Sequence, residues 1–188
     1  MFCERLILLS KLKFKAGIRM IKPLLFTALM LNLWACANTE NPTGAINPDE
    51  SERSAAPDFT METLDHGTFK LSEATGRVVH LFFIGYACPP CMVTAPGIEK
   101  DIHLSLSSDS LTVIGIDVWD GSAGQLANFK IQTGVTFPLG LQGSGVGDLY
   151  GATNDYNILI DKKGRIAYRQ SGTQVDALRE KITSLIKE

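Results

Sequence analysis

The 188-residue chain has few of the residues on which several common kinds of protein depend: four cysteines, three histidines and two tryptophans. Four cysteines are too few for a scaffold held together by disulfides, so each is interpreted by its position. His66, His80 and His103 are scattered and supply no second ligand pair for a zinc site. The glycine-rich stretch at 143–147 lacks the Lys-Ser/Thr of a phosphate-binding loop and is interpreted as a loop and helix start.

Basic residues are scarce in most of the chain. The first 35 residues carry six of the 18 Lys and Arg residues and one of the 20 Asp and Glu residues, which leaves residues 36–188 with a net charge of −7. Nucleic acid is not expected as a partner, because phosphate binding requires a basic surface. The composition, 45% hydrophobic and 20% charged, is that of a globular chain, and its length allows one ordinary domain.

The apolar run at 24–33 has only about ten residues, too few to cross the roughly 30 Å hydrocarbon layer as a helix but enough for a signal-peptide core. It ends in Leu33-Trp34-Ala35-Cys36, which resembles the lipobox of bacterial lipoproteins except for the bulky tryptophan. We therefore predict a signal peptide at 1–35 and lipidation of Cys36. Plain secretion and an uncleaved anchor are the alternatives.

Met20 by itself begins a compact signal peptide, and a start there would remove Cys3 from the protein. After Cys36 the sequence becomes polar and almost free of large apolar side chains. Residues 36–56 are predicted to form the lipidated cysteine and a flexible tether of roughly 25 Å. Residues 57–188 are predicted to form the folded domain.

The folded domain alternates between short apolar segments and helical patterns. Segments 78–84 and 111–118 are nearly continuous apolar runs, typical of strands that are buried on both faces. The pattern predicts further strands and helices. The strands are at 57–62, 68–71, 136–141, 157–160 and 166–170; the helices are at 89–106 with a kink at Pro96, at 122–133, and at the C-terminus with Val175, Leu178, Ile182 and Ile186 on one face. This order predicts an α/β fold in which a central mixed β-sheet is flanked by α-helices.

Cys88-Pro89-Pro90-Cys91 lies where the first buried strand gives way to a helix. Cysteines three residues apart across a first helical turn reach the Cα separation that a disulfide needs. The helix N-terminus stabilises a thiolate at Cys88, and Cys91, one turn further on, is placed to resolve a mixed disulfide. This pattern favours redox chemistry. An inert structural disulfide and half of a zinc site are the alternatives.

Residues 56–188 resemble the thioredoxin-like domain of TlpA/ResA-type thiol-disulfide oxidoreductases, which are related to the AhpC/TSA redoxins. Besides the cysteine motif and Pro96, the matching segments are 56–59, 76–79, 113–116, 137–138, 150–151 and 159–165. The resemblance implies a thioredoxin fold with Cys88 as the attacking thiol and Cys91 as the resolving thiol. It implies no cofactor and no metal.

Three positions depart from the family pattern. Tyr86-Ala87 stands where a tryptophan usually precedes the first cysteine, Thr94 replaces a glutamate that is a candidate proton acceptor, and Asp155 falls at the place of a cis-proline. A cis bond before a non-proline residue costs roughly 3 kcal/mol, so we predict that the loop at 153–156 is trans.

The prolines of the motif and the replaced family proline have consequences for the attacking thiol. Pro89 and Pro90 remove two backbone donors near Cys88, and the charge of Asp155, if it faces the thiols, disfavours a nearby thiolate. The alternative is that Asp155 relays the proton that Thr94 cannot accept. We therefore predict that the pKa of Cys88 is only mildly lowered from its ordinary value and that the couple is reducing.

The substrate groove is predicted to be lined by Tyr86, Pro89, Pro90, Asp155 and Tyr156. Asp117 and Asp120 around Trp119 lie at a strand end and are interpreted as a turn, with contact to the substrate as the alternative.

The sequence thus predicts an exported, membrane-anchored thiol-disulfide oxidoreductase on the periplasmic side of a bacterial cell envelope. Its expected partners are protein thiols and disulfides and an electron-donor protein that the sequence does not identify. The alternatives are a peroxide-reducing redoxin with Cys88 as the peroxidatic thiol, and a redox-inactive envelope lipoprotein that uses the fold as a binding module.

Overall fold

The apolar runs of the sequence form the centre of a five-stranded sheet. The computed structural model describes residues 44–106 and 109–188. The strands are β3 (Val78–Ile84), β4 (Leu111–Asp117), β5 (Leu139–Gly140), β6 (Tyr156–Ile160) and β7 (Ile166–Ser171). Their order in the sheet is β5-β4-β3-β6-β7. The β5–β4 and β4–β3 pairs are parallel, and the β3–β6 and β6–β7 pairs are antiparallel. β3 is buried along its whole length because it is the middle strand and both faces are covered.

Helices cover both faces of this sheet. They are α1 (Pro89–Ile98), α2 (Ala123–Thr133), α3 (Ser144–Tyr150) and α4 (Val175–Lys187). Phe82 and Ile84 of β3 lie in one core cluster with Leu126 and Leu178, whereas Leu81 and Phe83 lie in a second cluster on the opposite face. The predicted α/β fold with a mixed sheet between helices is confirmed.

Two local predictions need correction. The predicted helix at 89–106 is two segments, because α1 ends at Ile98 and the chain continues in the wider turns of a π-helix at Glu99–His103. The strand predicted at 136–141 is only the two residues of β5, since Pro138 lacks the N–H that a ladder requires. β1 (Thr60–Glu62) and β2 (Thr68–Lys70) pair in a separate two-stranded sheet. In α4, the predicted apolar face is confirmed: Leu178 and Ile182 are buried, and Val175 and Ile186 pack partly buried against the same core cluster.

The flexible tether predicted to reach residue 56 is wrong for its described part, residues 44–56. Ile46 and Arg169 exchange two backbone hydrogen bonds, which dock this segment on β7. The side chain of Arg53 is 4% exposed and binds the carboxylates of Asp161 and Glu188. The polar composition concealed this docking, because backbone pairing and a buried ion pair need few large apolar side chains.

The predicted signal peptide at 1–35 and the lipidation site at Cys36 lie outside the described residues. Within residues 44–106 and 109–188, no helix is both long enough and apolar enough to cross a membrane.

Candidate active site

The two cysteines of the motif form a disulfide at the start of α1. Cys88 is the residue that caps the helix, and its Cα lies 5.3 Å from the Cα of Cys91. The Cys91 amide donates a hydrogen bond to Cys88 Sγ over 3.3 Å, in the manner of a side chain that caps a helix. The predicted position of the pair, between a buried strand and a helix, is confirmed.

Pro89 and Pro90 are the first two residues of α1, and both are exposed. Neither has an N–H group, so the Cys91 amide is the first backbone donor of the helix that reaches the sulfur of Cys88. The hydroxyl of Thr94 donates to the carbonyl oxygen of Pro90 over 3.1 Å. This side chain is therefore engaged with the helix backbone.

A carboxylate at the end of β4 supports the cysteine loop, which we define as residues 85–91. Asp117 accepts hydrogen bonds from the amides of Tyr86 at 3.0 Å, Trp119 at 3.3 Å and Gly121 at 2.6 Å. Burial raises the pKa of Asp117, although the three hydrogen bonds favour its charged form. Asp117 thus joins the cysteine loop to the turn that follows β4.

Trp119 packs against the cysteine loop from this turn and remains 45% exposed. Its ring meets the ring of Tyr86 edge-on, with centroids 5.8 Å apart. Gly85 makes this contact possible, because a Cβ at that position would lie 2.3 Å from an atom of the indole ring.

The chain turns directly after β4, as predicted, and the turn brings Trp119 beside the cysteine motif. Contact of this segment with a substrate stays a prediction. The pairing of two buried strands explains the placement. β3 and β4 are parallel, and the carboxyl ends of parallel strands lie at one edge of a sheet.

A second loop, the Asn154 loop of residues 153–156, approaches the disulfide from the start of β6. Asn154 Nδ2 lies 3.3 Å from Cys88 Sγ and donates a hydrogen bond to it. The carboxylate of Asp155 instead accepts a hydrogen bond from Thr173 Oγ1 over 2.6 Å. The described residues contain no cis peptide bond, as predicted for this loop. Sequence reasoning missed Asn154 because it considered only its neighbour, at the family's proline position.

Both cysteines have an exposed fraction of 0% in this disulfide-bonded state. Of the five predicted groove residues, Pro89 and Pro90 are exposed, whereas Tyr86, Asp155 and Tyr156 are half-buried. Their contact with a substrate stays a prediction. Both sulfurs are covered in this state, so an electron donor that attacks the disulfide requires a local movement at the site.

The mixed sheet and the position of the disulfide define the class of the protein as thioredoxin-like. A solution structure of a candidate protein disulfide isomerase from Bacteroides thetaiotaomicron superposes with a TM-score of 0.66 and 33% sequence identity, covering 78% of this chain and 94% of that one. The AhpC/TSA family model matches residues 53–169, and the chain belongs to this family.

Curated relatives agree with this family assignment. The thiol-disulfide oxidoreductase ResA of Halalkalibacterium halodurans is 28% identical over 134 residues, which cover 70% of this chain and 75% of the relative. The thioredoxin-like protein YneN of Bacillus subtilis is 30% identical over 131 residues, which cover 65% of this chain and 72% of the relative. The chain is an enzyme of the thiol-disulfide oxidoreductase type.

Proposed function

We propose that this enzyme reduces disulfides in other proteins, with Cys88 as the attacking thiol and Cys91 as the resolving thiol. One observation carries the assignment: Cys88 caps α1, and its sulfur receives hydrogen bonds from the Cys91 amide and from Asn154 Nδ2. N–H donors and the positive end of the helix dipole stabilise negative charge on sulfur. Cys91 lies one turn inside the helix, where it is placed to attack Cys88.

The cycle consists of two thiol-disulfide exchanges. In the first, the Cys88 thiolate attacks one sulfur of the target disulfide, forms a mixed disulfide and releases the other target sulfur as a thiolate, which takes up a proton. In the second, Cys91 loses its proton, its thiolate attacks Cys88 Sγ, and the remaining target sulfur leaves as a thiolate, which takes up a proton. The target gains two electrons, and the enzyme is left with the Cys88–Cys91 disulfide. A dithiol protein must then reduce that disulfide.

Location and partners are part of the same proposal. The short apolar run and the lipobox-like Leu33–Cys36 support export and anchoring through a lipid on Cys36, with the domain on the periplasmic side of the envelope. A disulfide enzyme at that place acts on envelope proteins and receives electrons from another protein.

The test of the thiol roles is a trap with Cys91→Ser. Without the resolving thiol, the mixed disulfide between Cys88 and its target accumulates, and non-reducing electrophoresis followed by mass spectrometry identifies the bound protein. The matched control is the Cys88→Ser, Cys91→Ser double variant, which should trap nothing. Equal adducts on both variants would disprove the role of Cys88. Rapid loss of hydrogen peroxide in the presence of a reductant would favour the peroxide-reducing alternative.

Anchoring is tested separately with Cys36→Ser. The parent should fractionate with membranes and incorporate labelled fatty acid, whereas the variant should lose the label. If the parent carries no label, the lipid anchor is wrong, and the thiol chemistry of the domain is unaffected by that result.

A further inference from the structure

The side chain of Asn154 is in direct contact with the sulfur that the proposed function assigns as the nucleophile. Its Nδ2 lies 3.3 Å from Cys88 Sγ, the same distance as the Cys91 amide nitrogen. Because Pro89 and Pro90 provide no N–H, this side-chain amide supplies the second donor that the helix N-terminus lacks. A neutral amide donates to a thiolate without adding a charge of its own.

The backbone of the Asn154 loop has a conformation that needs support from elsewhere. Asp155 has a φ of 54°, in the left-handed region that residues other than glycine adopt infrequently. Its carbonyl oxygen accepts a hydrogen bond from the Gly172 amide over 2.8 Å, and its carboxylate accepts one from the Thr173 hydroxyl over 2.6 Å. Both donors follow β7, so the loop is held by the end of the neighbouring strand.

The hydrogen bonds continue from Thr173 into the core of the sheet. Asn157 Nδ2 lies 2.9 Å from Thr173 Oγ1, and Asn157 Oδ1 lies 2.9 Å from His80 Nε2. Since the Thr173 hydroxyl donates to Asp155, its oxygen must accept from the Asn157 amide, and Asn157 Oδ1 must then accept from a protonated His80 Nε2. Every hydrogen bond in this series of side chains therefore runs in the same donor-to-acceptor direction, from His80 towards the carboxylate of Asp155.

We propose that Asn154 is a catalytic residue that donates its amide N–H to the Cys88 thiolate, and that the hydrogen-bond chain His80–Asn157–Thr173–Asp155 positions it. This inference rests on the proposed role of Cys88 as the attacking thiol. Asn154 touches the reacting sulfur, whereas the four residues of the hydrogen-bond chain act only through Asn154. The bond strengthens when Cys88 becomes anionic, because hydrogen bonds to charged groups are stronger than those to neutral ones.

Asn154 also takes part in access to the site. In the disulfide-bonded state Cys88 has an exposed fraction of 0% and the amide of Asn154 contacts its sulfur, so this side chain is part of the cover over the sulfur. Removing Asn154 therefore has two effects of opposite sign: the sulfur becomes easier to reach, and its thiolate loses a donor. A profile over pH separates the two effects, because access changes the rate at all pH values and the lost donor changes the thiolate fraction.

The test is alkylation of Cys88 in the reduced full chain by iodoacetamide between pH 5 and pH 10. Fragment mass spectrometry reports Cys88 separately from every other cysteine. In Asn154→Ala, the ratio of the rate at pH 6 to the plateau rate at high pH should fall by roughly tenfold, because a hydrogen bond to a charged group is lost. Thr153→Ala, an exposed neighbour in the same loop, is the matched control and should keep the ratio of the parent.

Other titratable groups lie on the elements around Cys88, so the variants are compared with the parent rather than interpreted alone. These groups are Tyr86, Cys91, Asp117, Asp155 and Tyr156. Asn154→Asp keeps the size of the side chain but replaces the donor with a carboxylate, and it should lower the ratio more than Asn154→Ala does. A ratio in Asn154→Ala equal to that in Thr153→Ala would overturn the proposal for Asn154.

The positioning role is tested at Thr173. Thr173→Val removes the hydroxyl that links Asn157 to Asp155, and it should lower the same ratio by several-fold. Thr173→Ser keeps the hydroxyl and should restore the profile of the parent. If Thr173→Val and Thr173→Ser give the same profile of alkylation rate against pH, the hydrogen-bond chain does not position Asn154.

Failure of this inference is distinguishable from failure of the proposed function. If Cys88 in the parent reacts no faster than Cys91 at neutral pH, the assignment of the attacking thiol is wrong. If Cys88 is the faster thiol and Asn154→Ala leaves its profile unchanged, only the role of Asn154 is wrong.

Discussion

The two loops that meet at the disulfide are built in different ways. The cysteine loop continues directly from β3 into α1, and its sulfur contact comes from a backbone amide three residues away. The Asn154 loop is held by a chain of side chains that ends at His80, 77 residues from Asn157 in sequence. One loop therefore depends on local backbone rules and the other on contacts between distant strands. Substitutions that act on one loop at a time test this difference.

The largest effect is expected at Gly85, beneath Trp119. A Cβ at this position would lie 2.3 Å from the indole ring, so Gly85→Ala should displace the ring and lower the free energy of unfolding by about 2–3 kcal/mol. Chemical denaturation measures the change. The matched control is Gly145→Ala in α3, where nothing lies within 4 Å of the added Cβ.

The same substitution identifies the cause through a double-variant cycle. If the clash with Trp119 is responsible, Gly85→Ala should cost much less in a Trp119→Ala background, where the ring is absent. If the losses in the free energy of unfolding from Gly85→Ala and Trp119→Ala simply add in the double variant, the indole ring is not what restricts position 85.

An intermediate effect on the free energy of unfolding is expected when the pH is lowered, because His80 lies at the buried end of the hydrogen-bond chain. Burial lowers the pKa of His80 to about 4 from an ordinary value of 6.5. The unfolded chain therefore binds a proton between these pH values that the folded protein does not bind, and stability falls as the pH falls. Between pH 7 and pH 5 the free energy of unfolding should decrease by about 2 kcal/mol from this residue.

His80→Gln removes this titration while offering an amide donor to Asn157. Denaturation curves at pH 7 and pH 5 should show a smaller decrease in the variant than in the parent. The prediction fails if the two proteins lose the same free energy over this interval.

The smallest effect distinguishes the two prolines of the cysteine loop. A capping side chain accepts hydrogen bonds from the second and third residues of a helix, so Pro90→Ala should supply Cys88 with a further donor, whereas Pro89→Ala should not. We expect alkylation of Cys88 at pH 6 to accelerate roughly fivefold in Pro90→Ala, corresponding to about 1 kcal/mol. Equal rates in the two variants would mean that the missing backbone donor does not limit the thiolate.

The cysteine loop was predictable because residues adjacent in sequence determine its geometry. They are a buried apolar run, a cysteine at the helix cap and two prolines at the first helical positions. The Asn154 loop was not, since its conformation depends on Thr173 and Gly172, which follow a different strand. The sequence directed attention to Asp155, whereas strand pairing brings its neighbour to the sulfur. The docking of residues 44–56 was hidden for the same reason, because its partners lie more than 100 residues further along the chain.

The docked segment of residues 44–56 also covers one edge of the sheet. β7 is the last strand of the sheet, and an uncovered last strand offers free N–H and C=O groups to which other chains can add. Ile46, Ser54 and Ala56 bind backbone groups along β7 and the turn before it. By occupying this edge, the segment leaves fewer backbone groups with which a second molecule could pair, and we expect a chain that lacks residues 44–56 to self-associate more readily.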